Sequence, residues 1–373
     1  MATCNGSEYI LEQLDSLANQ IVLPAELVVT DDASDDDTVS IVRRFATTAT
    51  FPVRIYRNHE RLGYRANFMK AASLCSSPLI AFCDQDDIWY PNKLEQAVEV
   101  FADPQVVMLY HEARIVRDGV VLDEKLRKIR DPQPYTDARR GQPWSFPLGF
   151  TIIFRASLRR FDALWSSSQD FKEPHQRDSH DEWYYFLASV LGTTVYISEP
   201  LADYRQHRNN FYGITVRPKQ LIDRLGHLLE NRSSVYTRLA EAARNRSALL
   251  RIGSSQAGLD DIARQNLTIG ADAWQQLAVL YEYRTRLYLR SLGDRTKALV
   301  DLVVARAYGR RGYWTFGRRA LAKDALFGVV LARAVRRYGR PGTGSDWRCS
   351  AGDGSARKAL RITPRNRVGT SPS

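Results

Sequence analysis

The chain has 373 residues, of which 44% are hydrophobic, so it can bury the core of a full α/β domain and still carry a second region. Its formal net charge of +11 is unevenly placed, because residues 281–373 are strongly basic and residues 1–280 are slightly acidic. This asymmetry favours a globular domain followed by a basic region.

Cysteine usage and hydropathy argue against a secreted protein and against a membrane-spanning one. The four cysteines show no CxxC or paired spacing, as expected of a reduced, intracellular chain: Cys4, Cys75, Cys83 and Cys349. No apolar run approaches the roughly 20 residues that a membrane span needs, and the N-terminus lacks a basic segment followed by an apolar one. We therefore expect a cytoplasmic protein with neither a classical secretion signal nor a membrane-spanning segment.

Helical and strand-like patterns alternate through the first half of the chain. Apolar residues recur at helical spacing from residue 7, and Pro24 separates this segment from a short apolar run. The pattern predicts helices at 7–20, 38–47 and 63–75, and strands at 25–30, 52–58 and 78–83. Such alternation is typical of a mostly parallel sheet with helices on both faces.

Two acidic clusters, residues 31–37 and residues 84–87, each follow a predicted strand. Ligands of parallel sheets bind beyond the carboxyl ends of the strands, where these carboxylates would repel one another without a cation. Mg²⁺ and Mn²⁺ favour carboxylate and phosphate oxygens, so the clusters indicate half of a metal-diphosphate site. The alternative for residues 31–37 is a solvated turn that caps the next helix.

Other cation and phosphate sites do not fit the spacing. A calcium loop starting at Asp31 would need glycine and glutamate at positions six and twelve, where the chain has Asp36 and Val42. A start one residue later fails in the same way, and the chain has no GxxxxGK[ST] loop and no GxGxxG after a strand. Diphosphate binding would therefore rely on a metal and on basic side chains.

Four stretches together resemble the successive motifs of family 2 glycosyltransferases with the GT-A fold: ATCNGSEYILEQLDSLANQ, LVVTDDASDDDT, NHERLGYRANFMKA and FCDQDDIWYPNKLE. The likeness is greatest to bacterial rhamnosyltransferase-like members that build surface polysaccharides, and it covers about residues 1–215. It implies an α/β GT-A domain there. Residues 216–340 are then expected to form a basic α-helical region, and residues 341–373 a disordered tail.

The resemblance also implies the site residues. In the family, aspartates after the second strand contact the base and ribose, which implies Asp31 and Asp32, and the DxD element that holds the divalent cation implies Asp84 and Asp86. Asp84 is also expected to contact the nucleotide sugar. Other positions expected to bind the nucleotide sugar, by the same resemblance, are Thr3, Asn5, Arg65, Asn67 and Arg205.

Inverting transfer requires a base, since an acceptor hydroxyl attacks the anomeric carbon as the nucleoside diphosphate leaves. Asp181 precedes an apolar helical run, at a helix N-terminus where the dipole favours the ionised form. The family has its catalytic aspartate at the end of an acidic pair here, so Asp181 is the predicted base. Glu182 stands where relatives often have an aromatic residue, and a simple helix cap is the alternative.

The stretch YRQH resembles the element that closes the site in the family. Arg205 is suited to bidentate contact with a diphosphate, and His207 to a metal or phosphate, which makes His207 a third predicted metal ligand. The alternative is that this histidine is an ordinary surface residue.

The basic region mixes aromatic residues with arginines, namely Tyr308, Tyr313, Trp314 and Phe316 with Arg310, Arg311, Arg318 and Arg319. Two interpretations stay open: attachment to the inner face of the cell membrane, which would suit a lipid-linked acceptor, or packing of a basic helical pair on the catalytic domain. No nucleic-acid-binding module is visible, so nucleic acid is not an expected partner.

The sequence thus predicts a metal-dependent inverting glycosyltransferase that uses Mg²⁺ or Mn²⁺ and a nucleoside-diphosphate sugar, with dTDP-rhamnose as the specific option. The expected acceptor is a glycan on a lipid carrier. The rival is a non-catalytic nucleotide-sugar-binding scaffold of a polysaccharide assembly complex. A nucleotidyltransferase is disfavoured because residues 1–20 lack a glycine-rich loop. The first strand looks cut short at Met1, so a chain extended upstream is expected to be more soluble.

Overall fold

The computed structural model describes residues 1–127, 143–208, 210, 233–288, 291–309 and 314–331. The predicted disordered tail at 341–373 and the first part of the predicted helical region lie outside the described residues. The predicted division into domains therefore stays a prediction.

The first sheet carries the predicted alternation of strands and helices, which is confirmed. Its strands are parallel in the order β1–β2–β3. The helix α1 buries Ile10, Leu14 and Leu17, which recur at helical spacing and so face one side. The bounds are β1 Ala2–Thr3, α1 Ile10–Ala18, β2 Leu27–Asp31, α2 Thr38–Ala46, β3 Val53–Arg57 and α3 Tyr64–Leu74.

The second sheet is mixed, in the order β4–β8–β6–β9–β5, with β7 paired to β6. Only the β6–β9 pairing in it is parallel among the described strands, so the expectation of a mostly parallel sheet holds for the first sheet and not for the second. The strands are β4 Leu79–Ala81, β5 Ile88–Trp89, β6 Val106–Arg117, β7 Val120–Asp123, β8 Ile152–Arg155 and β9 Thr193–Arg205. The helices between them are α4 Lys93–Val100, α5 Asp162–Trp165 and α6 His180–Leu191, with 3₁₀ turns at Gly149–Thr151 and Ala156–Phe161.

Helices make up the described part of the C-terminal region. They are α7 Ser233–Ser254, α8 Asp261–Arg286, α9 Leu292–Val304 and α10 Gly317–Lys323, the last continuing into a π-helix at Asp324–Val330. Side chains cap two of them in the usual way: Asp260 accepts from the Ala263 amide at 2.7 Å and Ser291 from the Asp294 amide at 3.4 Å. None of the helices in the described ranges combines the length and apolarity that crossing a bilayer requires.

One hydrophobic core runs from the second sheet into these helices. Trp274 of α8 packs edge-on against Phe186 of α6, with ring centres 5.7 Å apart. Gly270 allows this approach, because a Cβ there would lie 2.8 Å from Val190. The helical region is therefore packed onto the α/β half of the chain rather than tethered to it.

The aromatic residues considered for membrane attachment turn inward where the structure describes them. Tyr308 is buried, and Trp314 and Phe316 pack against the main core, with Trp314 4.7 Å from the Trp274 ring centre. Tyr313, Arg310 and Arg311 lie outside the described residues. For the three described aromatics, packing on the catalytic domain is the interpretation that the structure favours.

The first strand is short. β1 has two residues and pairs with β2 among the described strands, while the Met1 ammonium donates to the Val28 carbonyl at 2.8 Å. The expected gain in solubility from an upstream extension stays a prediction.

Candidate active site

Three aspartates converge in the loop between β4 and β5. One carboxylate oxygen from each of Asp84, Asp86 and Asp87 lies within 4.8 Å of the others. Asp84 Oδ1 and Asp87 Oδ2 are buried and have no hydrogen-bond partner within the described part of the chain. Buried, unpartnered carboxylate oxygens carry a large desolvation cost, so the loop is arranged for a ligand that supplies positive charge.

The electrostatics of this cluster agree with a cation site. Burial, and then the charges of Asp86 and Asp181, raise the pKa of Asp84 to about 8. Burial and its two acidic neighbours also raise the pKa of Asp87 well above its ordinary value. A divalent cation would reverse both effects, and hard oxygen donors are what Mg²⁺ and Mn²⁺ prefer. The residues present therefore fit the predicted metal.

Arg205 at the end of β9 and His207 just after it contact the cluster, and the predicted closing of the site by the YRQH stretch stays a prediction. His207 Nε2 lies 2.8 Å from Asp86 Oδ2, and its ring stacks on Tyr9 at 4.0 Å. Arg205 donates from its amide to Asp87 Oδ1 at 3.2 Å and from its guanidinium to the Asp86 carbonyl, the Tyr9 carbonyl and Glu12. His207 is therefore beside the predicted metal ligands, while the Arg205 side chain holds the loop and α1 together.

Asp31 ends β2 in a tight polar turn. Its carboxylate accepts from Thr3 Oγ1 at 2.9 Å and from the Ser34 amide at 2.9 Å. Ala33 between them has φ of 54°, a left-handed conformation that is costly for a residue with a Cβ. Thr3 and Asp31, both predicted to lie near the nucleotide, are thus brought together with their side chains bonded to each other.

Asp32 fixes the loop that leads into α3. It accepts from the amides of Leu62 and Gly63 at 2.7 and 2.8 Å, and from Asn58 Nδ2 at 2.9 Å. Asn67 is buried beside it and donates to the Thr30 carbonyl at 2.9 Å. Asp32 and Asn67 thus connect the strand ends to the predicted base-binding loop, and their direct contact with a nucleotide stays a prediction.

A residue that the sequence did not single out, Gln85, joins the two halves of the site. Its side-chain amide accepts from the Cys4 amide at 2.9 Å and donates to the Cys4 carbonyl at 3.0 Å. Gly6 leaves room for this side chain, since a Cβ there would lie 2.3 Å from Gln85 Oε1.

Asn5, predicted to lie near the nucleotide, has φ of 48° and accepts from the Asp35 amide at 2.9 Å.

Asp181 lies in the first turn of α6, is largely buried, and is close enough to Asp84 for its charge to raise the pKa of that carboxyl. Its Oδ1 accepts from the Glu182 amide at 2.9 Å. Glu182 instead forms a buried ion pair with Arg246 of α7. The two acids therefore have different partners, and Asp181 is the one whose charge acts on Asp84.

His180, the residue before Asp181, is enclosed by aromatic rings. It stacks on Phe68 at 3.9 Å and meets Phe82 edge-on at 4.6 Å, with both ring nitrogens buried and unbonded among the described residues. Burial lowers its pKa to about 4, so the imidazole is neutral at ordinary pH. Gly149 lies against it, since a Cβ there would be 2.4 Å from His180 Nε2.

Arg65 contacts the segment before α6. It donates to Asp170 Oδ2 at 2.7 Å, to the Tyr64 hydroxyl at 2.9 Å and to the Arg177 carbonyl. Its predicted contact with the nucleotide sugar is not tested by these contacts and stays a prediction. They show that Arg65 ties α3 to the segment that leads to Asp181.

The sequence did not reveal two further parts of the site. Asp87 directly follows the DxD element and belongs to the acidic cluster at 84–87, but it was not singled out as a ligand because nothing local marks it as buried. The Asp178, Glu182 and Arg246 cluster joins residues far apart in the chain, and no motif signals it.

Comparison with known proteins identifies relatives of this fold. Residues 1–167 match the family model for glycosyl transferase family 2. A dTDP-rhamnosyl transferase, RfbG of Shigella flexneri, is 26% identical over 234 residues, covering 61% of this chain and 78% of RfbG. The predicted base Asp181 lies beyond the residues that match the family model. The α/β domain followed by helices that the structure shows is the predicted GT-A fold class.

Two further likenesses are to a relative matched over a shorter stretch and to a solved structure. The UDP-Glc:alpha-D-GlcNAc-diphosphoundecaprenol beta-1,3-glucosyltransferase WfgD of Escherichia coli is 27% identical over 122 residues, covering 33% of this chain and 47% of WfgD. Among solved structures, S. aureus TarS 1–349 in complex with UDP-GlcNAc aligns with a TM-score of 0.46 at 17% identity, covering 83% of this chain and 91% of the TarS 1–349 chain.

Proposed function

Because residues 1–167 form a family 2 glycosyltransferase domain, we propose that this chain is a metal-dependent inverting glycosyltransferase that moves a sugar from a nucleoside diphosphate to a glycan acceptor. The observation that carries the proposal is the convergence of Asp84, Asp86 and Asp87 with Asp181 nearby on α6. The departing diphosphate needs a cation, which the three clustered carboxylates could hold. The attacking hydroxyl needs a base on the other side of the anomeric carbon, which is the role proposed for Asp181.

In the reaction, the acceptor oxygen forms a bond to the anomeric carbon while the bond from that carbon to the diphosphate oxygen breaks. The bonding electron pair leaves with the diphosphate, and Asp181 takes the acceptor proton. Asp84, Asp86 and Asp87, with His207 beside them, would hold Mg²⁺ or Mn²⁺, which when bound stabilises the negative charge on the departing diphosphate. Gln85 holds this loop against the strand end that is expected to bind the nucleotide.

Asp181 is favoured over Glu182 as the base by the partners of each carboxylate. Glu182 is paired with Arg246, and burial raises its pKa well above the ordinary value. A buried carboxyl that is held by an arginine is poorly placed to receive the proton of an acceptor hydroxyl.

The donor and acceptor are proposed from the relatives. The name of RfbG specifies a dTDP-rhamnosyl transferase, so dTDP-rhamnose is our first candidate donor. The name of WfgD specifies a sugar acceptor on diphosphoundecaprenol, so a lipid-linked glycan is our candidate acceptor. A donor and acceptor of these kinds would place the enzyme in the cytoplasm, at the inner face of the cell membrane.

The test is release of nucleoside diphosphate from a panel of nucleotide sugars with Mn²⁺ or Mg²⁺ present. Asp181→Asn should lower turnover by about 10²–10⁴-fold while leaving donor binding intact, as expected for loss of a general base. Asp86→Asn should weaken metal-dependent donor binding. Asp272→Asn is the matched control, since Asp272 is an exposed partner of Arg251 on the far helices.

The rival function, a nucleotide-sugar-binding scaffold, predicts a different pattern. Wild type would bind a nucleotide sugar in a metal-dependent way, with no turnover even when a membrane extract supplies acceptors. Equal binding and zero turnover in wild type and Asp181→Asn would establish the scaffold and refute the enzyme.

A further inference from the structure

We propose that the outer face of α9 and the exposed side of the adjoining π-helix dock on an anionic lipid surface. This inference deepens the proposed function, because a lipid-linked acceptor lies at such a surface. The face consists of aliphatic side chains that are more than one third exposed: Leu292, Val300, Val303 and Val304 on α9, and Leu326, Val330 and Leu331 on or just after the π-helix.

The geometry of α9 places two of these side chains, Val300 and Val304, on its outward side. Its inner face is defined by Arg295, Ala298 and Leu302, which are buried at helical spacing. At about 100° per residue, Val300 and Val304 lie on the side opposite Leu302. Single exposed aliphatic residues are ordinary, but an outward pair on a helix that already has a buried inner face marks an interaction surface.

The degree of exposure supports the same conclusion. Val304 is 76% exposed and Val330 70% exposed, although α9 and the π-helix contact each other. The fold instead buries the nearby aromatic residues, including Tyr308. The apolar surface left outside is therefore aliphatic and lies on two neighbouring elements.

The surrounding charge selects the partner. Lys297 and Arg306 are exposed at α9, and Arg318 and Arg319 are exposed on α10, which leads into the π-helix. Asp294 and Asp301 lie on one flank of α9, and residues 281–373 as a whole are strongly basic. Exposed aliphatic side chains bordered by basic residues at the end of α9 and on α10, with the acidic pair confined to one flank of α9, match the boundary between acyl chains and anionic headgroups, where apolar burial and electrostatic attraction act together.

The experiment is co-sedimentation of the full chain with phosphatidylcholine vesicles, with and without phosphatidylglycerol. We expect binding to the anionic vesicles, weakened by salt, and weaker binding to the neutral ones. The variant Val300→Gln with Val304→Gln should bind at least about tenfold more weakly, since both aliphatic contacts are lost. Ile262→Gln is the matched control, because Ile262 is 72% exposed on α8, outside this face.

A charge-reversed variant separates the two contributions. Arg318→Glu with Arg319→Glu should reduce binding to anionic vesicles by at least about fivefold per arginine. Binding to neutral vesicles should stay as in wild type. All variants are exposed substitutions, so circular dichroism and unfolding temperature should match wild type.

Several outcomes overturn the proposal. It is wrong if wild type does not bind anionic vesicles, or if Val300→Gln with Val304→Gln binds as wild type does. It is also wrong if light scattering shows a dimer that the same variant abolishes, since a second copy would then occupy the face. Binding that survives this variant but disappears on removal of residues 332–373 would assign the interaction to that segment instead.

Failure of this inference is distinguishable from failure of the proposed function. Donor hydrolysis in the absence of vesicles should be the same in wild type and in the Val300→Gln, Val304→Gln variant. Vesicle binding without hydrolysis would uphold the docking face and refute the transferase, and hydrolysis without vesicle binding would do the reverse.

Discussion

Arg246 is predicted to be among the most important single side chains for the stability of this fold. It is 3% exposed, forms an ion pair with Glu182, which is 2% exposed, and lies 3.6 Å from Asp178, which is fully buried. Its guanidinium is also 4.8 Å from the ring centre of Trp274. Arg246→Met keeps the length of the side chain but leaves two buried acids without their cation.

The magnitude follows from the cost of an uncompensated buried charge. Breaking a buried pair by removing one partner costs about 3–5 kcal/mol, reduced where the acids can take up a proton instead. Burial already raises the pKa of Asp178 to about 6, so this relief is partial at pH 7.5 and greater at pH 5. We expect Arg246→Met to lower the unfolding free energy by about 3 kcal/mol or more at pH 7.5, and by less at pH 5.

Urea unfolding followed by circular dichroism measures the effect. Arg244→Met is the matched control on the same helix, since Arg244 pairs with Glu282 at the surface and should contribute about 0–1 kcal/mol. Adding Glu182→Gln to Arg246→Met should restore part of the loss, because one buried charge is then gone. A loss below about 1 kcal/mol, or equal losses for the two arginine variants, would refute the reasoning.

Three further predictions concern residues around the site. The pKa of His180 is about 4 in the folded chain against about 6.5 unfolded, so its contribution to stability is present above pH 6.5 and is lost as pH falls to 4. The free energy of unfolding of His180→Gln should therefore depend less steeply on pH than that of wild type between pH 6.5 and pH 4. Equal slopes for the two proteins would contradict the assignment. Gly149→Ala should destabilise by about 1–3 kcal/mol in thermal unfolding because the imidazole of His180 must move, whereas Gly293→Ala, in the exposed first turn of α9, should be neutral or stabilising. Ala33→Gly should raise the unfolding free energy by up to about 1 kcal/mol, since glycine relieves the left-handed backbone; a loss of stability would show that the Cβ of Ala33 makes a necessary contact.

The sequence predicted the elements of the first half of the chain because their signals are local. Apolar spacing in α1 and the run that becomes β2 each fall within a few residues. The direction of each strand in the second sheet depends on long connecting segments, such as the one between β7 and β8. No local sequence pattern predicts that direction. The mixture of parallel and antiparallel pairings in the second sheet could therefore not be predicted from the sequence.

In the candidate site, too, residues within short motifs could be predicted, whereas roles that depend on distant parts of the chain could not. Asp84, Asp86 and His207 were predicted from short motifs, and the structure brings them together. Gln85 lies inside such a motif, but its role depends on Cys4, far away in the chain. Where aromatic residues mix with arginines, composition alone could not tell an inward-facing side chain such as Trp314 from an outward-facing one.

The close approach of α8 to α6 at Gly270 has a consequence for how this protein can be divided or recombined. A shortened chain ending near residue 215 would present Trp183 and Phe186 to water, because the side chains that cover α6 belong to the C-terminal helices. Exchange of the catalytic half between relatives would succeed only if the contacting helices travelled with it. The helices thus complete the core of the α/β half, and a shortened or recombined chain needs matching side chains on both sides of this contact.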